Sequence, residues 1–241
     1  MPQFRLPPQS YRWLFAELTV VVLGVLIAFQ VEEWRNNQSL AAFQDANLRA
    51  MLLDLQDEAR EIDIFIEMSI RQIRANEKLL ALLQSDDERE AAALVDLFRT
   101  AWVTRTWLPN GPTYNSLVQT GNLSQVGEDE LRRELFDYYQ WTDYIGRQTA
   151  TYQEVARELE RAAYQDFQFQ PFESTTRRRG YEYPIVAVEP VAEIPRNPVL
   201  IGTLGNFGRR ISQLRPLLLE TRERNLALQQ RIEDYLQNQD E

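Results

Sequence analysis

Three hydrophobic patterns succeed one another along the chain. Between Trp13 and Trp34 it reads WLFAELTVVVLGVLIAFQVEEW, apolar on every side of a helix rather than on one face. The two indoles stand 21 residues apart, about 32 Å at 1.5 Å per helical residue. A bilayer's hydrocarbon core is about 30 Å thick, and tryptophan favours its two interfaces. This stretch predicts an uncleaved transmembrane helix over 13–34. Its strictly apolar part, 18–29, has only 12 residues, a length that also suits a buried helix. A cleaved signal peptide is disfavoured because no small-x-small site follows the apolar core.

A heptad pattern comes next. No Gly or Pro occurs over 38–83, and Leu48, Leu52, Leu55, Ala59, Ile62, Ile66, Ile73, Leu80 and Leu83 share one alternating four-three register. Ser69 and Asn76 are its polar exceptions. This predicts a long amphipathic helix with a bundle seam, continuous with the apolar stretch as one rod. Ser85 and Glu88 form a capping box for a second helix whose inner face holds Leu94, Leu97, Phe98, Ala101 and Trp102. A short helix near Tyr114 stops at Gly121-Asn122. Another long helix runs from Asp129 to near Phe167, seamed by Leu131, Leu135, Tyr138, Ile145, Tyr152, Leu159 and Ala163.

The third pattern loses the helical period. Residues 168–197 hold Pro171, Pro184, Pro190 and Pro195, with the β-prone run 183–188, and read as an irregular excursion holding a short strand pair. The last helix begins at Asn197-Pro198, an N-cap followed by proline. Its register is Leu204, Phe207, Ile211, Leu214, Leu218, Thr221, Asn225, Leu228, Ile232 and Tyr235, with Pro216 as a kink. The expected fold is all-α: an N-terminal transmembrane helix running into an extended antiparallel helical bundle, with the proline-rich excursion. The predicted divisions are a cytoplasmic tail over 1–12, the span over 13–34 and an extracytoplasmic bundle over 35–241. The orientation rests on Arg5 and Arg12 before the span, and it puts the chain in a bacterial inner membrane with its main domain in the periplasm.

Composition narrows the chemistry. The chain has no Cys and no His. That removes histidine- or cysteine-based nucleophiles, zinc sites on those ligands, covalent haem attachment and Glu-x-x-His di-iron sites. A net charge of −10 opposes nucleic-acid binding. No cofactor or metal site is expected. Acidic groups such as Asp86-Asp87-Glu88 and Glu128-Asp129-Glu130 suit helix starts and lack the spacing of a calcium loop.

The candidate contact residues are Trp13, Ala16, Glu17, Gly24, Ala28, Gln30 and Trp34 in the apolar stretch, and Arg177, Arg178 and Arg179 in the excursion. Glu17 and Gln30 are polar groups at membrane depth that also reach either interface. Gly24 and Ala28 form a small-x-x-x-small pair that admits another helix's backbone. The arginine triplet suits an acidic partner or anionic headgroups, and equally a solvated loop.

The run Glu17-x-x-x-Val21-Val22-x-Gly24-Val25-Leu26-Ile27-Ala28-Phe29-Gln30-Val31-x-x-Trp34 resembles the opening of an uncharacterised family of bacterial single-span proteins. A softer match is Thr113-Tyr114-x-x-Leu117-x-x-x-Gly121-Asn122-Leu123, followed by Leu131-Arg132 and Tyr138-Tyr139. Glu32-Glu33 stand where that family usually has asparagines. The resemblance covers about a quarter of the chain and implies an anchor plus a helical domain, with no activity.

The leading expectation is a non-enzymatic accessory or scaffold subunit of a membrane complex, respiratory or photosynthetic assemblies being candidate hosts. Its partners would be membrane lipids and other integral subunits, or a second copy through self-association. The alternatives are a periplasmic ligand-binding sensory bundle and an envelope hydrolase using paired carboxylates.

Overall fold

The computed structural model describes residues 9–84, 97, 98, 100, 101, 111–163, 167–178, 181–190 and 197–239. Among the described residues there are four α-helices of some length: α1 Gln9–Gln84, α2 Pro112–Thr120, α3 Asp129–Ala163 and α4 Pro198–Gln239. A 3-10 turn, Asn122–Gln125, follows α2. The packed fold is all-helical.

The long helix α1 runs for 76 residues without interruption, as the absence of Gly and Pro over 38–83 requires. Two helices cover its seam from opposite directions. Tyr138 of α3 reaches Glu58, and Tyr152 reaches Gln72, so α3 runs parallel to α1. Asn225 of α4 reaches Leu55, while Asn76 reaches Leu204, so α4 runs antiparallel. The same register brings the end of α4 at Gln239 level with Ala41.

Local signals set the helix ends. Asn197 caps α4 through its Oδ1, which accepts from the backbone N–H of Val199 at 3.0 Å and of Leu200 at 3.3 Å. Gly121 closes α2 at φ +72°, a left-handed conformation that suits glycine. α2 is tied to α1 by the Thr113 N–H, which donates to Asp54 Oδ2 at 3.0 Å. The helix α4 continues through Pro216.

Among the described residues the core forms two apolar clusters. One gathers Leu48, Met51, Leu55, Leu131, Leu135 and Ile232 with α2's Tyr114 and Leu117. The other gathers Ile62, Phe65, Leu79, Ile145, Phe207 and Ile211. Between them lies a polar layer of Glu58, Thr142, Thr221 and Asn225, all buried.

One expectation is corrected here. Among the described residues no helix is long and apolar enough to cross a membrane. The 12 residues over 18–29, apolar apart from Thr19, cover about 18 Å of helix, well short of a hydrocarbon core of about 30 Å. Glu17 bounds them on one side and Gln30, Glu32 and Glu33 on the other. The single-pass, signal-anchor and inner-membrane reading falls with the span, and so does the periplasmic assignment that depended on it. In the excursion, Phe167–Arg178 and Tyr181–Pro190 are extended and pair antiparallel, with a register irregularity between Gln170 and Ser174.

The predicted second helix falls largely outside the described residues. Leu97, Phe98, Thr100 and Ala101 are helical, with Phe98 and Ala101 buried in the core.

Candidate functional site

Among the described residues, two places carry groups that ordinary packing does not use up: the polar layer inside the bundle and the apolar N-terminal part of α1 outside it.

In the polar layer, Tyr138 Oη donates to Glu58 Oε2 at 2.6 Å and accepts from Asn225 Nδ2 at 2.8 Å. Asn225 Nδ2 also donates to the Leu55 carbonyl at 3.1 Å, and Gln229 Nε2 donates to Asn225 Oδ1 at 2.5 Å. One level further along, Tyr152 Oη donates to Gln72 Oε1 at 2.9 Å, and Gln72 Nε2 reaches the Ala101 carbonyl at 3.5 Å. Burial pushes the Tyr138 hydroxyl far above its usual range, and the Glu58 carboxylate adds to the shift. Burial likewise raises Tyr139 and Tyr152. These hydroxyls therefore stay protonated, and those of Tyr138 and Tyr152 serve as hydrogen-bond donors; they are poorly suited to act as nucleophiles or bases. Satisfied polar groups inside an apolar seam specify which helices pair and in what register.

Beside the layer, Tyr139 stacks on Tyr114 with ring centroids 3.9 Å apart. Its hydroxyl is buried and has no partner among the described residues. On the outer side, Trp141 Nε1 donates to Thr221 Oγ1 at 2.9 Å, and Arg224 lies over the indole, 4.3 Å from its centroid. A shallow groove nearby is lined by Glu134, Asp137, Arg224 and Arg231. Its arginines are already engaged, Arg224 with Glu220 and Arg231 with Glu128 and Glu130.

The other place is the part of α1 beyond the bundle. Val20 is 69% exposed, Ile27 59% and Phe29 64%, and Leu18, Val21, Val22, Leu23, Val25, Leu26 and Val31 are open as well. Nothing lies within 4 Å of where a Cβ on Gly24 would stand. Trp13 and Trp34 are exposed at 70% and 63%, and Glu17, Ala28 and Gln30 are exposed too. These sequence-predicted residues thus share one helix, and no other described element of the chain covers them. The Ala16 side chain lies outside the described residues. So do the side chains of Arg177 and Arg178, and all of Arg179.

Sequence reasoning missed the polar layer as a unit. The available signal was Thr221 and Asn225, two polar residues inside an otherwise apolar register; Glu58 and Gln72, which accept from Tyr138 and Tyr152, are polar and escaped a hydrophobic scan. Among the described residues no cluster of three or more potential metal ligands occurs. No protein-family model, curated protein or solved structure matches the chain.

Proposed function

We propose that this chain is a non-enzymatic assembly protein, an accessory or scaffold subunit whose helical bundle holds out the N-terminal part of α1 to join it to other protein. The observation that supports this reading is the run of exposed apolar side chains over 18–31, open on all sides of one helix. Exposed contiguous apolar surface of this extent marks an interaction site, because leaving it in water costs about 25 cal/mol per Å². The bundle supplies stiffness: α1 is a single helix anchored by α3 and α4 along its second half, so the projecting part is held at a fixed angle.

The experiment is cross-linking of the tagged full chain in its native cells, followed by sizing of the products. Wild type should be recovered in covalent complexes with protein. Ile27→Asp, which puts a charge in the middle of the apolar run and touches nothing in the bundle, should lose them while its circular dichroism melt stays unchanged. Equal recovery from wild type and Ile27→Asp would overturn the reading.

A further inference from the structure

The bundle seam does not stop where the bundle does. Along α1 the buried positions alternate by three and four: Leu48, Met51, Leu55, Glu58, Ile62, Phe65, Ser69, Gln72, Asn76, Leu79 and Leu83. The same alternation carried backwards falls on Gln44, Ala41, Asn37, Trp34, Gln30, Ile27, Leu23 and Val20. Those positions keep the character of the covered seam, mostly apolar with interspersed polar side chains: Gln30, Asn37 and Gln44 here, Glu58, Ser69, Gln72 and Asn76 there. Over 48–83 the seam is covered by α3 and α4, with α2, Phe98 and Ala101 packed beside them. Since α4 ends at Gln239, level with Ala41, the N-terminal continuation has lost its cover, and every residue over 17–42 is exposed.

We propose that a second copy of this chain takes up the vacated track. Two α1 rods pair antiparallel over 9–41, centred near Val25, so that each copy's rod continues the line of the other copy's α4. This inference deepens the assembly reading above and rests on it.

Three features select this occupant and this direction. The first is continuity: α4 runs antiparallel to α1, so an antiparallel rod enters the same groove with the same polarity. Its N-terminus then meets the C-terminus of α4, where the opposite ends of two helix dipoles attract. The second is length. The part of α1 that precedes the bundle, 9–41, spans about 50 Å. Paired with its own copy in the antiparallel sense it is covered from end to end, and the two bundles sit at opposite ends. A parallel pair would drive each copy's α4 into the space the other occupies. The third is closure. The arrangement is two-fold symmetric and uses the same patch twice, which ends assembly at a dimer. Two rods of this length bury on the order of 1,600 Å² between them, the size of a standard stable interface.

The register follows. Ile27 of one copy packs against Leu23 of the other, and Val20 packs beside the stem of Gln30. Gly24 lies close to the two-fold axis, where the missing Cβ lets the backbones approach. The flank holding Val22, Val25 and Phe29 stays outward.

Because the chain has no cysteine of its own, disulfide trapping tests this directly. Val20→Cys and Gln30→Cys are prepared as separate full-length proteins, checked for unchanged helicity, and oxidised singly and as an equimolar mixture. The antiparallel pair brings residue 20 of one copy opposite residue 30 of the other, within the Cα separation of about 4.4–6.8 Å that a disulfide spans. Equal positions stand about 15 Å apart. Only the mixture should give the covalent dimer.

A covalent dimer from each single variant would mean a parallel pair and would overturn the proposal. So would a monomer by light scattering with no cross-link in any sample. In that last case, continued loss of complexes by Ile27→Asp in cells would leave the assembly reading standing with a different protein partner. A monomer that instead binds anionic phospholipid vesicles would overturn both.

Discussion

Gly208 and Asn76 face each other across the contact between α4 and α1, and the space between them is fully used. Asn76 Nδ2 donates to the Leu204 carbonyl at 3.1 Å. A Cβ on Gly208 would stand 2.4 Å from Asn76 Oδ1. The buried amide is fixed at one end, so it cannot turn away without losing its hydrogen bond. Glycine in a helix interior costs about 1 kcal/mol relative to alanine, and here the contact outweighs that penalty.

Gly208→Ala is therefore expected to lower stability by about 1–3 kcal/mol, in the range of an overpacked core. Gly202→Ala and Gly205→Ala lie in the same helix with nothing within 4 Å of the added carbon. Each should raise stability by about 0.5–1 kcal/mol through helix propensity alone. Chemical denaturation of the three variants checks the sign of each. A stabilised Gly208→Ala would mean that Asn76 is not held as described.

The two adjacent tyrosines should behave in opposite ways. Tyr138→Phe removes the donor to Glu58 and the acceptor for Asn225, leaving both buried groups short of a partner. The expected loss is about 2–4 kcal/mol. Tyr139→Phe deletes a buried hydroxyl that has no partner among the described residues and keeps the ring stacked on Tyr114. It should be neutral or stabilising by up to about 1 kcal/mol. Urea midpoints measured side by side at neutral pH give the comparison, and equal losses would sink the distinction.

Alkali should unfold the bundle. Tyr138 and Tyr152 have hydroxyl pKa values raised by burial, so each binds its proton more tightly in the folded state than in the unfolded chain. Their contribution is complete below the unfolded value of about 10, and it is lost as pH rises from there toward the folded values. Above pH 10 the unfolded state holds fewer protons, and each of the two tyrosines lowers stability by about 1.4 kcal/mol per pH unit. Melting temperatures between pH 8 and 11.5 should be flat at first and then fall steeply. Tyr152→Phe should make the fall shallower.

The helical fold was largely legible because its signals are local. Leu204, Phe207, Ile211, Leu214 and Leu218 keep one register on α4 and are all buried; so are Leu131, Leu135, Tyr138, Ile145, Tyr152, Leu159 and Ala163 on α3. Asn197 and Gly121 mark ends that the structure places where those residues predict. On α1 the reading was right in part. Leu48, Leu55, Ala59, Ile62 and Leu83 are buried as expected, but Leu52, Ile66, Ile73 and Leu80 are only partly so. The deeper positions are Met51, Glu58, Phe65, Gln72 and Leu79. A helix packed against two neighbours buries a stripe wider than one apolar seam, and the polar members of that stripe are invisible until their partners on α3 and α4 are known. At the other end of α4 the last buried side chain is Leu236, with Tyr235 only half covered. The apolar stretch of α1 misled for a related reason. All-round apolarity fits both a membrane span and a helix awaiting other protein, and the length of the strictly apolar run argues for the second.

The apolar clusters on either side of the polar layer should respond sharply to charge. Ile211 is 1% exposed and Leu214 6%, and both belong to the cluster that includes Phe207 and Tyr152. Ile211→Asp places a carboxylate inside that apolar cluster. A buried unpaired charge costs about 3–5 kcal/mol or more, comparable to the whole stability of an ordinary domain, so the variant should be largely unfolded at room temperature. Ile211→Val removes only one methylene and should cost about 0.5–1.5 kcal/mol, which keeps the test readable if the aspartate variant cannot be purified. Circular dichroism melts report both. An Ile211→Asp protein that melts with wild type would mean that α4 does not pack on α1 through this face, and the antiparallel register of Leu55 with Asn225 and Asn76 with Leu204 would have to be abandoned with it.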